Sequence, residues 1–314
     1  MTHFRPFINY NQQIYKLKHE KELEIHNDSY AIEKLKDYSY FGLISGYKEI
    51  FYNKTAHKYR RGVAFEDIVK LFEFDCELRE LFLKEILYIE QRFSSLLSYY
   101  FCETFTSDQN AYLDINNYSN NNAGVAKLIG TLNKVANIET KHEYIIYQRN
   151  TYNNVPLWAA LKAMTFGSIS KMYSFLQPSI RSKIAHEFSY VNETHLEAMM
   201  ELLVDFRNVC AHRERLYCHK ATSNSILDTP LHDKLNISRN GSLYIQGKND
   251  LFAVVIALRY LLPKERFVIF KKDLAKELTK VAKMKSVNLS TLYDSMGFPY
   301  NWKKITSYKL KKII

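Results

Sequence analysis

Apolar residues recur at three- and four-residue spacing along most of this chain, the period of an amphipathic helix. The longest such run, FEDIVKLFEFDCELRELFLKEILYIEQRFSSLLSYYFCETF from Phe65 to Phe105, contains no glycine or proline and predicts one long helix or two nearly collinear ones. A polar run over 116–122 then reads as a loop. Pro156 and Pro178 bracket PLWAALKAMTFGSISKMYSFLQP as a further helix. At Thr194 the sequence THLE offers a capping box with Glu197, which predicts a helix over about 195–217. In ISRNGSLYIQ, Asn240-Gly241 separates two short strand-like runs and predicts a hairpin near 235–246. Helices over about 250–262 and 264–283 follow, in a C-terminal helical part of about 248–314 that ends in MGFPYNWKKI. The pattern predicts an all-α fold, mainly a helical bundle with one small β-hairpin, built as a single unit over 1–314.

The helix over 195–217 has two distinct sides. At about 100° per residue, Glu201, Asp205, Asn208, His212 and Arg215 fall within about 80° of one another, forming a polar stripe. Met199, Leu202, Leu203, Phe206, Val209 and Cys210 make the opposite, core-facing side. Arg207 lies between the two, about 140° from His212 on a straight helix. A solvated stripe explains most such helices, and an arginine five residues before a histidine is common by chance. The same spacing occurs in RSKIAH, from Arg181 to His186, where Ser182 stands in the place that Asn208 has in the later segment.

Composition narrows the picture further. With 46% hydrophobic and 25% charged residues, the chain has the make-up of a folded globular protein. Its longest apolar run, LFAVVIAL, is far shorter than the roughly 20 residues of a membrane span, and the N-terminus lacks the pattern of a secretory signal. No membrane partner and a cytoplasmic location are therefore expected. Cys76, Cys102, Cys210 and Cys218 are too scattered for a disulfide framework. A zinc site from Cys210, His212, Cys218 and His219 is disfavoured, because Cys210 and His212 point about 160° apart on a helix. The net charge of +11 is compatible with a polyanionic partner, and equally with a generally lysine-rich composition. Gly-rich phosphate loops and nucleophile elbows are absent from the sequence.

The segment RNVCAHRERLY (207–217) resembles the RNxCAHxxRLY/W signature of the Abi family of abortive-infection proteins (AbiD/AbiF-like), a branch of the HEPN superfamily. QQIYKLKHEKELEIHNDSYAIEKLKDYSYFGLISGY, FEFDCELRELFLKEILYIEQRF, VPLWAALKAMTFGSISKMY and MGFPYNW are also similar to family blocks, in the same order. Arg213 and Tyr217 stand where the family more often has a histidine and a tryptophan. The resemblance implies a HEPN-type bundle, a homodimer and a metal-independent ribonuclease of phage defence, with Arg207, Asn208 and His212 as catalytic residues.

Those residue types suit the chemistry. RNA carries its own nucleophile in the 2′-hydroxyl. Histidine exchanges protons near neutral pH, arginine binds phosphoryl oxygens through a planar charged fork, and asparagine orients without adding charge. No cofactor and no metal are required. Asp205, Glu201 and Arg215 are candidates for supporting the histidine. Lys303, Lys304, Lys309, Lys311 and Lys312, interleaved with Trp302 and Tyr308, are candidates for gripping single-stranded RNA by charge and stacking. The alternative is a non-catalytic protein that holds a small noncoding RNA or a phage component.

Overall fold

The computed structural model describes residues 6–119 and 122–313. A short helix α1 (Tyr10–Tyr15) runs into a π-helical turn, Lys16–Glu20, and is followed by α2 (Asp28–Tyr38) and a second π-helical turn, Phe41–Ser45. A two-residue hairpin, β1 (Tyr52–Asn53) with β2 (Lys58–Tyr59), leads into α3 (Phe65–Thr104). Small helices α4 (Gln109–Leu113), α5 (Ala123–Asn137), α6 (Glu143–Tyr152) and α7 (Leu157–Ala160) precede α8 (Phe166–Phe175), α9 (Pro178–His186) and α10 (Glu193–Ala211). The chain ends with α11 (Pro230–Lys234), the hairpin β3 (Arg239–Asn240) with β4 (Leu243–Tyr244), and α12 (Leu251–Leu261), α13 (Lys264–Ala282) and α14 (Leu289–Met296). The architecture is mainly α, as the periodicity predicts, with two tiny hairpins rather than one among the described residues.

The run from Phe65 forms one continuous helix of 40 residues. At about 1.5 Å per residue it is roughly 60 Å long. Its core stripe passes through Leu71, Asp75, Leu78, Phe82, Ile86, Ile89, Phe93, Leu97 and Phe101, all buried. α10, α13, α9, α7, α12 and α8 all pack against it. Asparagine, abundant in this chain, sets many of the helix starts. Asn27, Asn122, Asn192 and Asn288 each accept a backbone N–H of the helix that follows. At α10 the cap is Asn192, two residues before the predicted Thr194, because its Oδ1 accepts both the His195 N–H and the His195 Nδ1. Glu197, expected to reach back to Thr194, instead pairs with Arg181.

Two other expectations need correction. The helix bracketed by Pro156 and Pro178 is broken: α7 tightens into a 3-10 turn, Leu161–Ala163, and Met164 is extended (ψ 155°) before Thr165 caps α8. The loop over 116–122 contains a 3-10 turn, Ile115–Asn117, and the start cap of α5, while Asn120 and Asn121 lie outside the described residues. Among the described residues no helix is long and apolar enough to cross a membrane.

Candidate functional site

The core-facing side of α10 is as the pattern predicts, with Met199, Leu202, Leu203, Phe206, Val209 and Cys210 all buried. The helix stops at Ala211 rather than near 217. Arg213 adopts a left-handed conformation (φ +57°), its N–H donates to the Cys210 carbonyl at 3.3 Å, and the Glu214 N–H donates to the Val209 carbonyl at 3.0 Å. This is a Schellman stop in which an arginine occupies the position usually given to glycine. His212 is therefore the last residue with near-helical backbone, and Arg215 lies beyond the stripe on which it was placed.

After the stop, the segment Glu214–Tyr217 turns back over α3, where a buried polar network fastens it. Asp75 Oδ1 accepts the Tyr217 N–H at 2.7 Å, and its Oδ2 accepts the Leu216 N–H at 3.0 Å. The Tyr47 hydroxyl donates to the same Oδ2 at 2.6 Å, and Arg79 Nη1 joins it at 2.6 Å while donating to the Glu214 carbonyl at 3.1 Å. Burial pushes the Asp75 carboxyl above its ordinary value, against the lowering effects of Tyr47, Arg79 and the two N–H groups. Arg215 donates to the Gly46 carbonyl at 2.7 Å. The blocks ending in SGY, beginning FEFDCELR and ending in RLY thus meet at one point.

The sequence reading missed Tyr47, Asp75 and Arg79. The signal was present in Asp75, an acidic residue on the core stripe of α3, where an ion is costly unless it is paired and hydrogen-bonded. Glu90, about four turns further along α3, was also missed; its Oε2 lies 3.5 Å from Arg207 Nε. Burial raises the Glu90 carboxyl and Arg207 opposes the shift.

The remaining polar residues of α10 separate into two groups. Glu201 pairs with Lys171 at 2.6 Å, and Asp205 accepts from Asn224 Nδ2 at 2.9 Å. Asn208 and His212 are exposed, and neither side chain makes a hydrogen bond among the described residues. Two clefts lie nearby, one lined by Glu90, the partner of Arg207, and the other by the segment itself. One of about 500 Å³ contains Glu90, Ser94, Ser95, Trp158 and Lys162. The other, of about 570 Å³, is bounded by Phe41, Tyr47, Phe72, Arg213, Arg215, His219 and Lys220. Burial lowers the His219 imidazole below its usual range, against Asp205 and Glu214.

Cys210 is a core residue whose thiol burial pushes up to about 12, and among the described residues no three His, Cys, Asp or Glu side chains are gathered as metal ligands. Arg181, in the chance copy of the motif, is committed to Glu197. In the C-terminal tail, Lys303, Lys304, Lys309, Lys311 and Lys312 are exposed. Trp302 is fully buried, with its indole N–H directed at the Tyr293 hydroxyl at 3.4 Å, so it offers no stacking surface.

Comparison with curated proteins and with solved structures finds no match. The family model described as Abi-like protein matches residues 33–218, a span that runs from α2 to the end of the fastened segment and includes Tyr47, Asp75, Arg79, Glu90, Arg207 and His212. The chain belongs to the Abi-like protein family, a family of abortive-infection phage defence.

Proposed function

We propose that this protein is a metal-independent endoribonuclease of HEPN type that acts in abortive infection, with Arg207, Asn208 and His212 as its catalytic residues. One observation carries the reading. Along α10 the polar side chains Glu201, Asp205 and Arg207 have protein partners, whereas Asn208 and His212 are presented to solvent unengaged, beside Arg207 and next to a rigidly fastened segment. Such a display is suited to a ligand rather than to holding the fold.

In this scheme the RNA 2′-oxygen attacks the adjacent phosphorus and its proton passes to a neutral His212 imidazole. The bond from phosphorus to the 5′-oxygen breaks, and an imidazolium protonates that oxygen, leaving a 2′,3′-cyclic phosphate. Arg207 neutralises charge building on the phosphoryl oxygens, and Asn208 orients the phosphate or the imidazole. Arg207 and His212 lie about 140° apart around α10, and each chain supplies one His212. A two-fold homodimer that brings two copies of the segment together supplies both an acid and a base, and lets Arg207 of one chain serve the phosphate beside the other's histidine.

The test is expression of wild type and His212→Ala in a bacterial host, with growth followed and new RNA ends mapped. Growth arrest with 2′,3′-cyclic phosphate ends in the wild type and neither in the variant is the expected result. Equal behaviour of the two would remove His212 from the chemistry and leave RNA binding without cleavage as the account.

A further inference from the structure

The C-terminal tail, which lies beyond the family-matched span, folds back over α12 and borders a pocket of about 300 Å³ that Tyr190 also lines. At its base lies Arg259, only 9% exposed on a helix whose other residues are all buried. Its Nε is buried with no hydrogen-bond partner, one Nη reaches the Tyr308 carbonyl at the long distance of 3.5 Å, and its guanidinium lies over the Phe267 ring at 5.3 Å. Among the described residues no carboxylate pairs with it. A guanidinium with so little access to water and no counter-charge is destabilising.

The surroundings add positive charge rather than cancel it. Lys264 and Lys309 line the same pocket, together with the hydroxyl-bearing Thr306, Ser307 and Tyr190. Lys264 is the first residue of α13, a helix of 19 residues that begins after Pro263 with no side-chain cap, so the pocket rim includes a helix N-terminus. Glu265, on the first turn of α13, is exposed and does not line the pocket. Behind the pocket, Lys271 donates to Thr306 Oγ1 at 2.5 Å, and its ammonium is held below its usual range by burial, Lys303 and Arg259. The tail is tied down by the Ile313 N–H on the Tyr190 carbonyl at 2.9 Å and by Lys234 on the Lys309 carbonyl at 3.2 Å.

We propose that this pocket is a phosphate-binding site, in which a phosphate group supplies the missing counter-charge of Arg259 and accepts from Lys264, Lys309 and the tail hydroxyls. The inference does not depend on the nuclease reading, since it involves none of Arg207, Asn208 and His212 and requires no cleavage. The phosphate belongs to the backbone of a bound RNA strand or to a free mononucleotide, and the two sources separate experimentally.

The experiment compares wild type, Arg259→Met and Lys264→Ala by thermal unfolding in inorganic phosphate and in chloride of equal ionic strength. It also measures binding of adenosine monophosphate and of a 2′-O-methyl oligoribonucleotide, which cannot be cut by 2′-hydroxyl attack. In wild type, phosphate raises the melting temperature by about 2 °C beyond chloride. Arg259→Met melts higher than wild type without phosphate, since an uncompensated buried charge is gone, and shows no response to phosphate. Lys264→Ala, at an exposed position that leaves the core intact, halves the response or more. A roughly tenfold loss of oligonucleotide affinity in Arg259→Met without measurable mononucleotide binding assigns the phosphate to an RNA strand, whereas mononucleotide binding lost in the same variant assigns it to a free nucleotide. Identical melting of wild type in phosphate and chloride, or an undiminished phosphate response in Arg259→Met, overturns the proposal.

Discussion

Asp75 Oδ1 accepts the backbone N–H of Tyr217 at 2.7 Å, joining residues 142 positions apart across the core. The bond ties the end of the signature segment to the middle of α3, and the Asp75–Arg79 pair sits where water does not reach. Removing one partner of such a pair leaves the other charged and unpaired. Asp75→Ala is therefore expected to destabilise the protein by about 3–5 kcal/mol in urea unfolding. A loss below about 1 kcal/mol would show that the network is ornamental.

Arg213 is the natural place to look for the opposite effect. Its left-handed backbone at the end of α10 is one that glycine adopts without strain. Arg213→Gly is expected to leave stability unchanged or raise it by up to about 1 kcal/mol, the relief of strain being offset by a more flexible unfolded chain. Under the proposed function the same variant binds an uncleavable oligonucleotide more weakly, because Arg213 lines the cationic cleft. Stability and affinity thus move apart, and a parallel fall in both would contradict this account.

Glu90 sets the charge that Arg207 presents. The facing atoms are buried 3.5 Å apart without a hydrogen bond, and Gln keeps the shape of Glu while removing a carboxyl that burial disfavours, so Glu90→Gln is expected to change unfolding by less than about 1 kcal/mol. With its neighbour's negative charge removed, Arg207 should hold a phosphate more strongly. Titration with the uncleavable oligonucleotide at low salt is expected to show a gain of about threefold, and a loss would mean that Glu90 positions Arg207 for the ligand.

Gly297 and Asp250 give a steric prediction. Gly297 has φ +74°, and a Cβ placed there would lie 2.1 Å from the Asp250 carboxylate that caps α12. Gly297→Ala is expected to cost at least about 2 kcal/mol from backbone strain and overlap together. In an Asp250→Ala background the same change should cost measurably less, since the overlapping carboxylate is absent.

Asp250 also yields a pH dependence. Burial raises its carboxyl to about 6, against hydrogen bonds from Gly247 and Ala253 that favour the ionised form. The native state then holds a proton that the unfolded state has released, so its stabilising contribution is complete below about pH 4 and is lost as pH rises through about 6. Asn keeps an acceptor for both N–H groups without ionising. Asp250→Asn is expected to gain on wild type by on the order of 3 kcal/mol between pH 4 and pH 7, and a constant difference across that range would refute the assignment.

Helix existence was legible because its cause is local. The unbroken run from Phe65, the buried side of α10, the asparagine-glycine hairpin and the two C-terminal helices follow from periodicity and turn chemistry. The stop after Ala211 was not legible, because an arginine rather than a glycine holds the left-handed position, and what favours it there is the pull of Asp75 on the segment beyond. Arg207, Asn208 and His212 stand out through the resemblance of RNVCAHRERLY to the family signature, but the partner of Arg207 is hidden because Glu90 is 117 residues earlier and looks like any acidic residue on a long helix. Arg259 was hidden for the converse reason. In LFAVVIALRYLL it looks like a charge at the wet end of an apolar helix, and it is covered by Phe267 of α13 and by the returning tail, both distant from it in the local pattern.

The two attachments to α3 also limit how the chain tolerates change in length. Asp75 and Glu90 stand fifteen residues apart on one uninterrupted helix, and each faces a different part of the same segment. One residue inserted or deleted between them would swing one attachment about 100° around the helix and shift it by about 1.5 Å, leaving either Tyr217 or Arg207 without its partner. The interval between these two acids is therefore a place where substitutions can accumulate but insertions and deletions should not.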